Sequence, residues 1–390
     1  MGKPRDFEKP MGVRDWPPEA VAQKRWIEKR VEARFQHWGY REVMTPTLEY
    51  FETVGGASAI QDHKLFKLLD RQGQTLVLRP DQTTPIARVV ASVMKEVPLP
   101  LRLFYHANVF RAQEREAGRN AEFYQSGVEL VGGDTPEEDA EVIALAVESL
   151  QACEISPIQL AMGHIGLLDG LLMERLEEAE AVADLKDCLG RRNMVEFRER
   201  VEALELNAGE KKELFSLLEI RGTREILGTL RDRAASRRTR EAINHLEAIW
   251  EALEDWGVAS EILLDLSLVG SLDYYTGVYF EGYGADGIYL LSGGRYDRLL
   301  ERFGRSSPAR GFALKTDRLV EAGGDKTREK MEHIALVYPR RLRRKAFRQA
   351  KKWREQGVAV SMHVKEAGSL PAEERQRLDR IVEIEGDDDD

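Results

Sequence analysis

Residues 101–132 read LRLFYHANVFRAQEREAGRNAEFYQSGVELVG. Two runs rich in aromatic and β-branched residues, 101–111 and 123–132, flank a charged loop that extends through Asn120. This pattern predicts two long strands of one sheet, joined by an exposed loop.

Polar residues on the second strand raise the possibility of a bound ligand. Gln125 and Glu129 are expected on one face of the strand, because side chains alternate between its two faces. Burying such groups without partners costs roughly 2–7 kcal/mol on the stricter scales, so an inward-facing pair favours a polar ligand. Alternatively, this is the solvent face of the sheet, with Phe123 as the exception. Arg111 and Arg119 flank the loop and are suited to phosphate or carboxylate oxygens.

The flanking segments predict an α+β fold. Pro17–Pro18 precedes a run with helical spacing that ends at Gly39, and Thr135 begins a second helix with a capping box. Residues from about 170 to 255 are rich in Leu, Glu, Arg and Ala, which predicts a helical insertion. Strand-like runs then resume, at 262–270, 268–283, 287–294 and 310–314. Together they indicate an antiparallel sheet with helices packed on it.

A second, smaller domain is expected after residue 325. Gly323–Thr327 has the composition of a linker, and residues 333–364 have a strand–helix–strand pattern typical of a small α/β domain. The polar tail beyond it ends in Asp387–Asp390 and is expected to be disordered. The predicted domains are therefore 1–325 and 326–390.

The composition argues against several functional classes. The 390 residues carry a net charge of -10, whereas dedicated nucleic-acid-binding domains are usually basic. Cys153 and Cys188 form neither a disulfide framework nor a zinc motif. No signal peptide or apolar run long enough to span a bilayer is present, so a cytoplasmic protein is expected. Because the P-loop, GxGxxG, HExxH and GxSxG motifs are missing, neither a cofactor nor a metal is expected.

Three further segments carry side chains suited to a small polar ligand. In LRPDQTTPIAR (78–88), Asp81 and Thr83 can accept hydrogen bonds from an ammonium group. The same residues also suit the start of a helix near residue 85, so both interpretations stay open.

The second segment, LVGSLDYYTGVYFEGY (268–283), has the alternation of a strand. That alternation predicts Tyr274 on one face and Tyr275 on the other. A phenol can hydrogen-bond a ring nitrogen and pack against the ring, although tyrosines often simply line a core.

In the third segment, SGGRYD (292–297), Gly293–Gly294 predicts a tight turn that brings Arg295, Tyr296 and Asp297 to the edge of the sheet. Taken together, the segments offer carboxylates for an ammonium group, Glu129 and tyrosines for a polar ring, and arginines for an anion. This set complements an amino acid with an imidazole side chain.

In combination, these segments resemble the class II histidyl-tRNA synthetases over most of the chain up to about residue 320. Residues 110–129 are similar to that family's motif 2, LDYYTG to its histidine-binding signature, and SGGRYD with GFALKTDRL to the segment leading into motif 3. TPTLEY (45–50) lies where motif 1, the dimer interface, is expected.

The resemblance implies a role for individual residues of this chain. The amino-acid backbone would be held by Asp81, Thr83 and Gln125. The imidazole would be held by Glu129, Tyr275 and Tyr296. Tyr274, Arg111 and Arg119 complete the expected histidine site. Arg111 and Arg318 also stand at positions where the synthetases bind ATP.

The departures from the synthetase pattern concern nucleotide activation. Gly270 and Ser271 stand where the family has Arg-Gly, so the arginine of the synthetases is missing here. Losing one hydrogen-bond donor to the charge that develops in the transition state typically lowers the rate about 10²–10³-fold. Residues 113–116 read Gln-Glu-Arg-Glu in place of Glu-Arg-Pro-Gln, which adds negative charge near the expected phosphates. Lys315 replaces a glycine of motif 3, and the part that resembles the anticodon-binding domain stops early.

These departures resemble the regulatory subunits of ATP phosphoribosyltransferase. That resemblance implies a chain without catalytic residues, required by a short-form catalytic subunit in the first step of L-histidine biosynthesis. It also implies L-histidine as the effector, a homodimer within a hetero-oligomer, and no tRNA or membrane partner.

Two alternatives remain at this point. A divergent histidyl-tRNA synthetase would have to recruit its cation from Arg115, Arg119 or Arg295. A histidine- or RNA-sensing module would use the basic stretch RRLRRKAFRQAKKWR (340–354), which otherwise is the solvated face of an amphipathic helix.

Overall fold

The computed structural model describes residues 8–55, 57–58, 60–112, 120–176, 178–270, 274–323, 332–368 and 370–385. The chain divides into two compact units, Met1–Asp325 and Lys326–Asp390. Over the described ranges, no helix is long and apolar enough to cross a membrane.

The strands follow one another along the chain as short and long segments. They are β1 (Arg41–Glu42), β2 (Leu48–Tyr50), β3 (Lys67–Leu69), β4 (Thr75–Leu78), β5 (Leu101–Phe110), β6 (Glu122–Val131), β7 (Gln159–His164), β8 (Arg221–Gly222), β9 (Ile262–Asp265), β10 (Val278–Tyr283), β11 (Tyr289–Arg295), β12 (Ala309–Lys315), β13 (His333–Tyr338), β14 (Ala359–Val364) and β15 (Arg380–Glu383).

The α-helices complete the element order. They are α1 (Pro18–His37), α2 (Thr83–Ala91), α3 (Pro136–Ala152), α4 (Ile165–Met173), α5 (Ala179–Gly190), α6 (Met194–Ala203), α7 (Ala208–Leu218), α8 (Glu225–Arg233), α9 (Arg237–Asp255), α10 (Thr316–Ala322), α11 (Arg343–Glu355) and α12 (Ala372–Arg375).

A large mixed sheet forms the centre of the first unit. In the described part of the chain it has nine strands, in the order β1-β5-β6-β12-β11-β10-β7-β9-β8. The strands from β5 to β7 in this order pair antiparallel, whereas β1 pairs parallel with β5 and β7 pairs parallel with β9. The predicted pair of long strands is β5 and β6, and the predicted α+β class is confirmed.

Different helices pack on the two faces of this sheet. On one face, Phe35 of α1 packs against Phe104 and Phe312, with ring centroids 5.6 and 5.9 Å apart. On the other face, Tyr105 joins a buried apolar cluster with Ile86 of α2. Because Phe104 and Tyr105 are adjacent in β5, strand alternation places them on opposite faces. The candidate site lies on the face with α2.

The helical insertion and the small sheet lie outside this centre. Helices α4 to α9 span 165–255, and the short strand β8 interrupts them to pair with β9. A separate antiparallel sheet has the order β2-β4-β3.

The second unit is a small parallel α/β structure. Its strand order is β14-β13-β15, and Ala346 and Ala350 of α11 pack with Leu336 in its core. The tail was expected to be disordered, but residues 380–383 form β15 because they pair with β13. The prediction is wrong for this segment, and the acidic end at 386–390 lies outside the described residues.

The prediction of a strand throughout 268–283 is also wrong. Residues 274–277 form a turn and loop, and β10 begins only at Val278. Tyr274 and Tyr275 therefore do not alternate, and their ring centroids lie 4.9 Å apart. The intervening residues 271–273 lie outside the described part of the chain.

The predicted turn at Gly293–Gly294 is wrong for a packing reason. Both glycines lie within β11 and pair with β10 and β12. A Cβ at Gly293 would lie 2.7 Å from Phe280, and one at Gly294 would lie 2.9 Å from Tyr275. The glycines thus leave space for aromatic rings against a strand.

Candidate functional site

A cavity of about 180 Å³ lies on the sheet face that carries α2. Strands β5, β6, β10, β11 and β12 contribute to its wall, and so do the start of α2 and the loop before β10. Its lining is aromatic and polar, with both acidic and basic groups: Asp81, Gln82, Thr83, Tyr105, Arg111, Gln125, Glu129, Tyr274, Tyr275, Tyr279, Tyr289, Ser292, Tyr296, Gly311, Phe312, Ala313 and Lys315.

Glu129 is the deepest acidic group of the cavity, with only 2% of its surface exposed. Its Oε1 accepts a hydrogen bond of 2.7 Å from the Thr83 hydroxyl, and its Oε2 accepts one from the Tyr296 hydroxyl. Gly311 of the neighbouring strand lies against this carboxyl group, and a Cβ there would collide with it. The glycine is therefore required for the carboxyl position.

Burial raises the pKa of Glu129 to about 8, although the hydrogen bonds from Tyr296 and Thr83 oppose the shift. Burial acts against the charged form because a carboxylate loses its hydration. At neutral pH the carboxyl group without a ligand is therefore mainly the protonated acid, which can donate its proton to a bound base.

Asp81 lies at the start of α2 and has two partners. Its Oδ1 accepts from the backbone N–H of Thr84 at 2.8 Å, and its Oδ2 accepts from the Ser58 hydroxyl at 2.6 Å. The interpretation as a helix start is confirmed, because Asp81 accepts from the first turn of α2. Asp81 and Thr83 also line the cavity, so their role towards an ammonium group stays a prediction. Thr83 begins the helix and is directed at Glu129.

Tyrosine rings form a continuous wall around the acid. Tyr274 is 5.6 Å from Tyr296 and Tyr275 is 4.9 Å from Tyr279 between ring centroids. Burial raises the pKa of each of these four phenols. They are therefore neutral hydroxyl groups that can donate or accept a hydrogen bond.

A cationic end faces this acidic end. Arg111 donates from Nε to the carbonyl oxygen of Pro80 at 2.8 Å and lies 5.4 Å over the Phe123 ring. Lys315, the last residue of β12, pairs in register with Gln125 of β6. The cavity thus has cationic side chains near Gln125, whereas Glu129, farther along the same face of β6, is mainly the neutral acid.

Gly270 lies against the aromatic wall. A Cβ at this position would lie 2.6 Å from Tyr275 and 3.1 Å from Tyr279. A larger side chain would have to displace a ring, so the missing arginine cannot be restored here without rearrangement.

Comparison with known proteins shows to which family the chain is similar. The family model described as histidyl-tRNA synthetase matches residues 12–319. A protein of Geobacillus thermodenitrificans named ATP phosphoribosyltransferase regulatory subunit is 47% identical over 320 residues, covering 82% of this chain and 81% of its own. A protein of the same name from Halalkalibacterium halodurans is 44% identical over 362 residues, covering 92% and 91%.

Solved structures extend the likeness to the fold. A Bacillus halodurans crystal structure titled as an ATP phosphoribosyltransferase regulatory subunit/histidyl-tRNA synthetase has a TM-score of 0.91 at 41% identity, covering 98% of this chain and 99% of that one. A histidyl-tRNA synthetase from Nostoc shares the fold, with a TM-score of 0.80 at 18% identity and coverages of 96% and 89%.

The chain belongs to the ATP phosphoribosyltransferase regulatory subunits. These share the histidyl-tRNA synthetase fold, as the family model and the solved structures show. This regulatory subunit therefore has a synthetase architecture in a non-catalytic chain.

The structure brings most predicted site residues of the regulatory subunit into one cavity. These are Asp81, Thr83, Arg111, Gln125, Glu129, Tyr274, Tyr275 and Tyr296. Arg119 and residues 113–116 lie outside the described residues. Arg318 is exposed on α10 and does not line the cavity.

Arg295 is not available as a substitute cation. It pairs with Asp134, with Asp297 at 2.9 Å and with Asp139 at 3.5 Å. The adjacent Tyr296 reaches the cavity, while Arg295 follows the alternation of β11 to the other face of the sheet.

Several lining residues were not predicted as site residues from the sequence, among them Tyr105, Tyr279, Tyr289 and Ser292. Tyr105 pairs in register with Gly127, whose Cβ would lie 2.6 Å from the tyrosine hydroxyl. A glycine between Gln125 and Glu129 on the same strand face was the available signal, because it marks where a ring approaches the strand.

We expect Glu129 to make stability fall as pH rises. Between its ordinary value of 4.5 and its folded pKa of about 8, the folded protein keeps a proton that the unfolded chain has lost. Raising the pH through this window therefore lowers the free energy of unfolding, by up to about 1.4 kcal/mol per pH unit.

Glu129→Gln should lose this dependence, as urea midpoints at pH 5, 7 and 8.5 would show. Glu137→Gln, at an exposed position, serves as the control. Parallel pH profiles for the wild type and Glu129→Gln would contradict the expectation.

Proposed function

We propose that this cytoplasmic regulatory subunit is required by a short-form ATP phosphoribosyltransferase catalytic subunit in the first step of L-histidine biosynthesis. L-Histidine in the cavity mediates feedback inhibition. The observation that carries this proposal is the buried Glu129, held by Tyr296 and Thr83, in a cavity whose tyrosine wall packs against Gly270, a residue with no side chain to supply a cation for nucleotide activation.

The protonation state of Glu129 suits an imidazole ligand. Free imidazole titrates near pH 6.5, below the pKa of about 8 for Glu129. Near neutral pH, Glu129 and a bound imidazole therefore share one exchangeable proton, which either group can hold. Neutral acid with neutral imidazole and carboxylate with imidazolium have the same total charge, so no uncompensated charge is buried. The tyrosine wall adds ring contacts and hydrogen-bond partners.

The synthetase alternative conflicts with the geometry around Gly270. An adenylate-forming site needs a cation at the developing charge, and the rings of Tyr275 and Tyr279 occupy the space beside Gly270. Arg295, one of the substitutes considered, is bound to aspartates on the other face. A separate histidine-sensing module is disfavoured because the named relatives span nearly the whole chain.

The small sheet supports a homodimer within the hetero-oligomer. Leu48 and Tyr50 of β2 and Leu68 of β3 share one face of this sheet, and they are 47%, 52% and 44% exposed. Clustered exposed apolar residues of this kind mark interaction surfaces. β2 lies in the TPTLEY segment, which resembles the synthetase dimer motif.

Mixing this chain with a short-form catalytic subunit tests the proposal as a whole. Product formation from ATP and phosphoribosyl pyrophosphate should require the regulatory subunit, and added L-histidine should suppress it. Activity that is independent of this chain would overturn the regulatory role. Histidine-dependent ATP–pyrophosphate exchange by this chain alone would favour the synthetase alternative.

Glu129→Ala is expected to weaken L-histidine binding by tenfold or more, about 1.4 kcal/mol, because the imidazole loses its hydrogen-bond partner in a buried site. Isothermal titration calorimetry measures the effect, with the exposed Glu137→Ala as the matched control. Unchanged L-histidine affinity in Glu129→Ala would show that the imidazole does not bind at Glu129.

Leu68→Asp should shift the regulatory subunit from dimer to monomer, since a charge on the face of β3 shared with Leu48 and Tyr50 would oppose its burial. Light scattering on the purified chain reports the mass. Met194→Asp, which changes a similarly exposed apolar residue on α6 of the insertion, should leave the mass unchanged. A monomeric wild type, or a Leu68→Asp variant that stays dimeric, would argue against this interface.

A further inference from the structure

The cationic end of the cavity has a distinct composition that the synthetase likeness does not explain. Lys315 stands where the synthetases have glycine, yet its side chain lines the same cavity as Glu129. Its Nζ lies 4.7 Å from the Tyr289 ring centroid and 5.8 Å from that of Phe123. The ammonium group is therefore held among aromatic rings at the wall of the cavity.

Lys315 is an incompletely neutralised cation. Burial, and then the charges of Arg111 and Arg318, lower its pKa to about 8. The acids that act on it in the opposite direction are Glu281 and Asp317, and both already have close partners. Glu281 pairs with Arg192, and Asp317 lies 3.3 Å from Arg14.

This arrangement favours an anion in the cavity. Two cations that repel each other across a partly buried space are stabilised when a negative group binds between them. Arg111 and Lys315 both line the cavity, so the anion would lie within it and not on the outer surface.

The positions of Glu129 and of the two cations along the cavity indicate which kind of anion binds there. Gln125 and Glu129 lie on one face of β6, and Lys315 pairs in register with Gln125. A ligand whose ring contacts Glu129 would extend along β6 towards Gln125 and the cationic end. An α-amino acid presents its carboxylate at the end opposite its ring, which matches this polarity.

We propose that Lys315, together with Arg111, binds the α-carboxylate of the ligand. This inference rests on the proposed binding of L-histidine in the cavity. Lys315 is then a specificity-determining residue that distinguishes an amino acid from the corresponding amino alcohol or amine.

Calorimetry with L-histidine and L-histidinol, which lacks the carboxylate, tests the inference. The wild type should bind L-histidine at least tenfold more tightly than L-histidinol. Lys315→Met should lose tenfold or more in L-histidine affinity, about 1.4 kcal/mol, and change L-histidinol affinity by less than about twofold. Lys315→Arg keeps the charge and should recover much of the L-histidine affinity.

The outcomes separate this inference from the proposed function. Unchanged L-histidine affinity in Lys315→Met, with binding lost in Glu129→Ala, would overturn the inference and leave the histidine site intact. Equal losses for both ligands in Lys315→Met would also overturn it, because they indicate a role in cavity shape alone. A wild type that binds neither ligand would overturn the proposed function itself.

Discussion

The burial of the Glu129 carboxyl group is the constraint on which the site depends. An unpaired carboxyl in this position would be costly, so Tyr296 and Thr83 supply hydrogen bonds and Gly311 leaves space for the oxygens. These partners come from the end of β11, the start of α2 and the neighbouring strand β12. The fold thereby brings three distant segments together around one proton-carrying group.

The same cavity shows how a synthetase architecture can serve a regulatory subunit. The wall that would hold an amino acid is present, from Asp81 to the tyrosines. What differs is the chemistry of activation, since Gly270 has no side chain and Tyr275 packs against it. If ligand binding alters the state of a partner subunit, linkage requires that the partner alter ligand affinity by the same factor. A binding site without turnover is sufficient for that role.

The sequence predicted the fold class and eight of the seventeen residues that line the cavity, because strand alternation and short motifs are local signals. Gln125 and Glu129 share a strand face for this reason. Local signals failed where tertiary packing decides conformation: Tyr274 and Tyr275 leave the strand pattern, and Gly293–Gly294 accommodates rings instead of turning. The pairing of β15 with β13 depends on contacts far apart in sequence. Composition alone therefore misjudged that segment.

A crystal structure of the chain with L-histidine would test histidine binding at Glu129 most directly, because it locates the ligand without assuming a partner. We expect the imidazole within hydrogen-bond distance of Glu129 and flanked by Tyr275 and Tyr296. L-Histidine bound elsewhere, with the cavity around Glu129 holding only solvent, would show that Glu129 does not bind the imidazole.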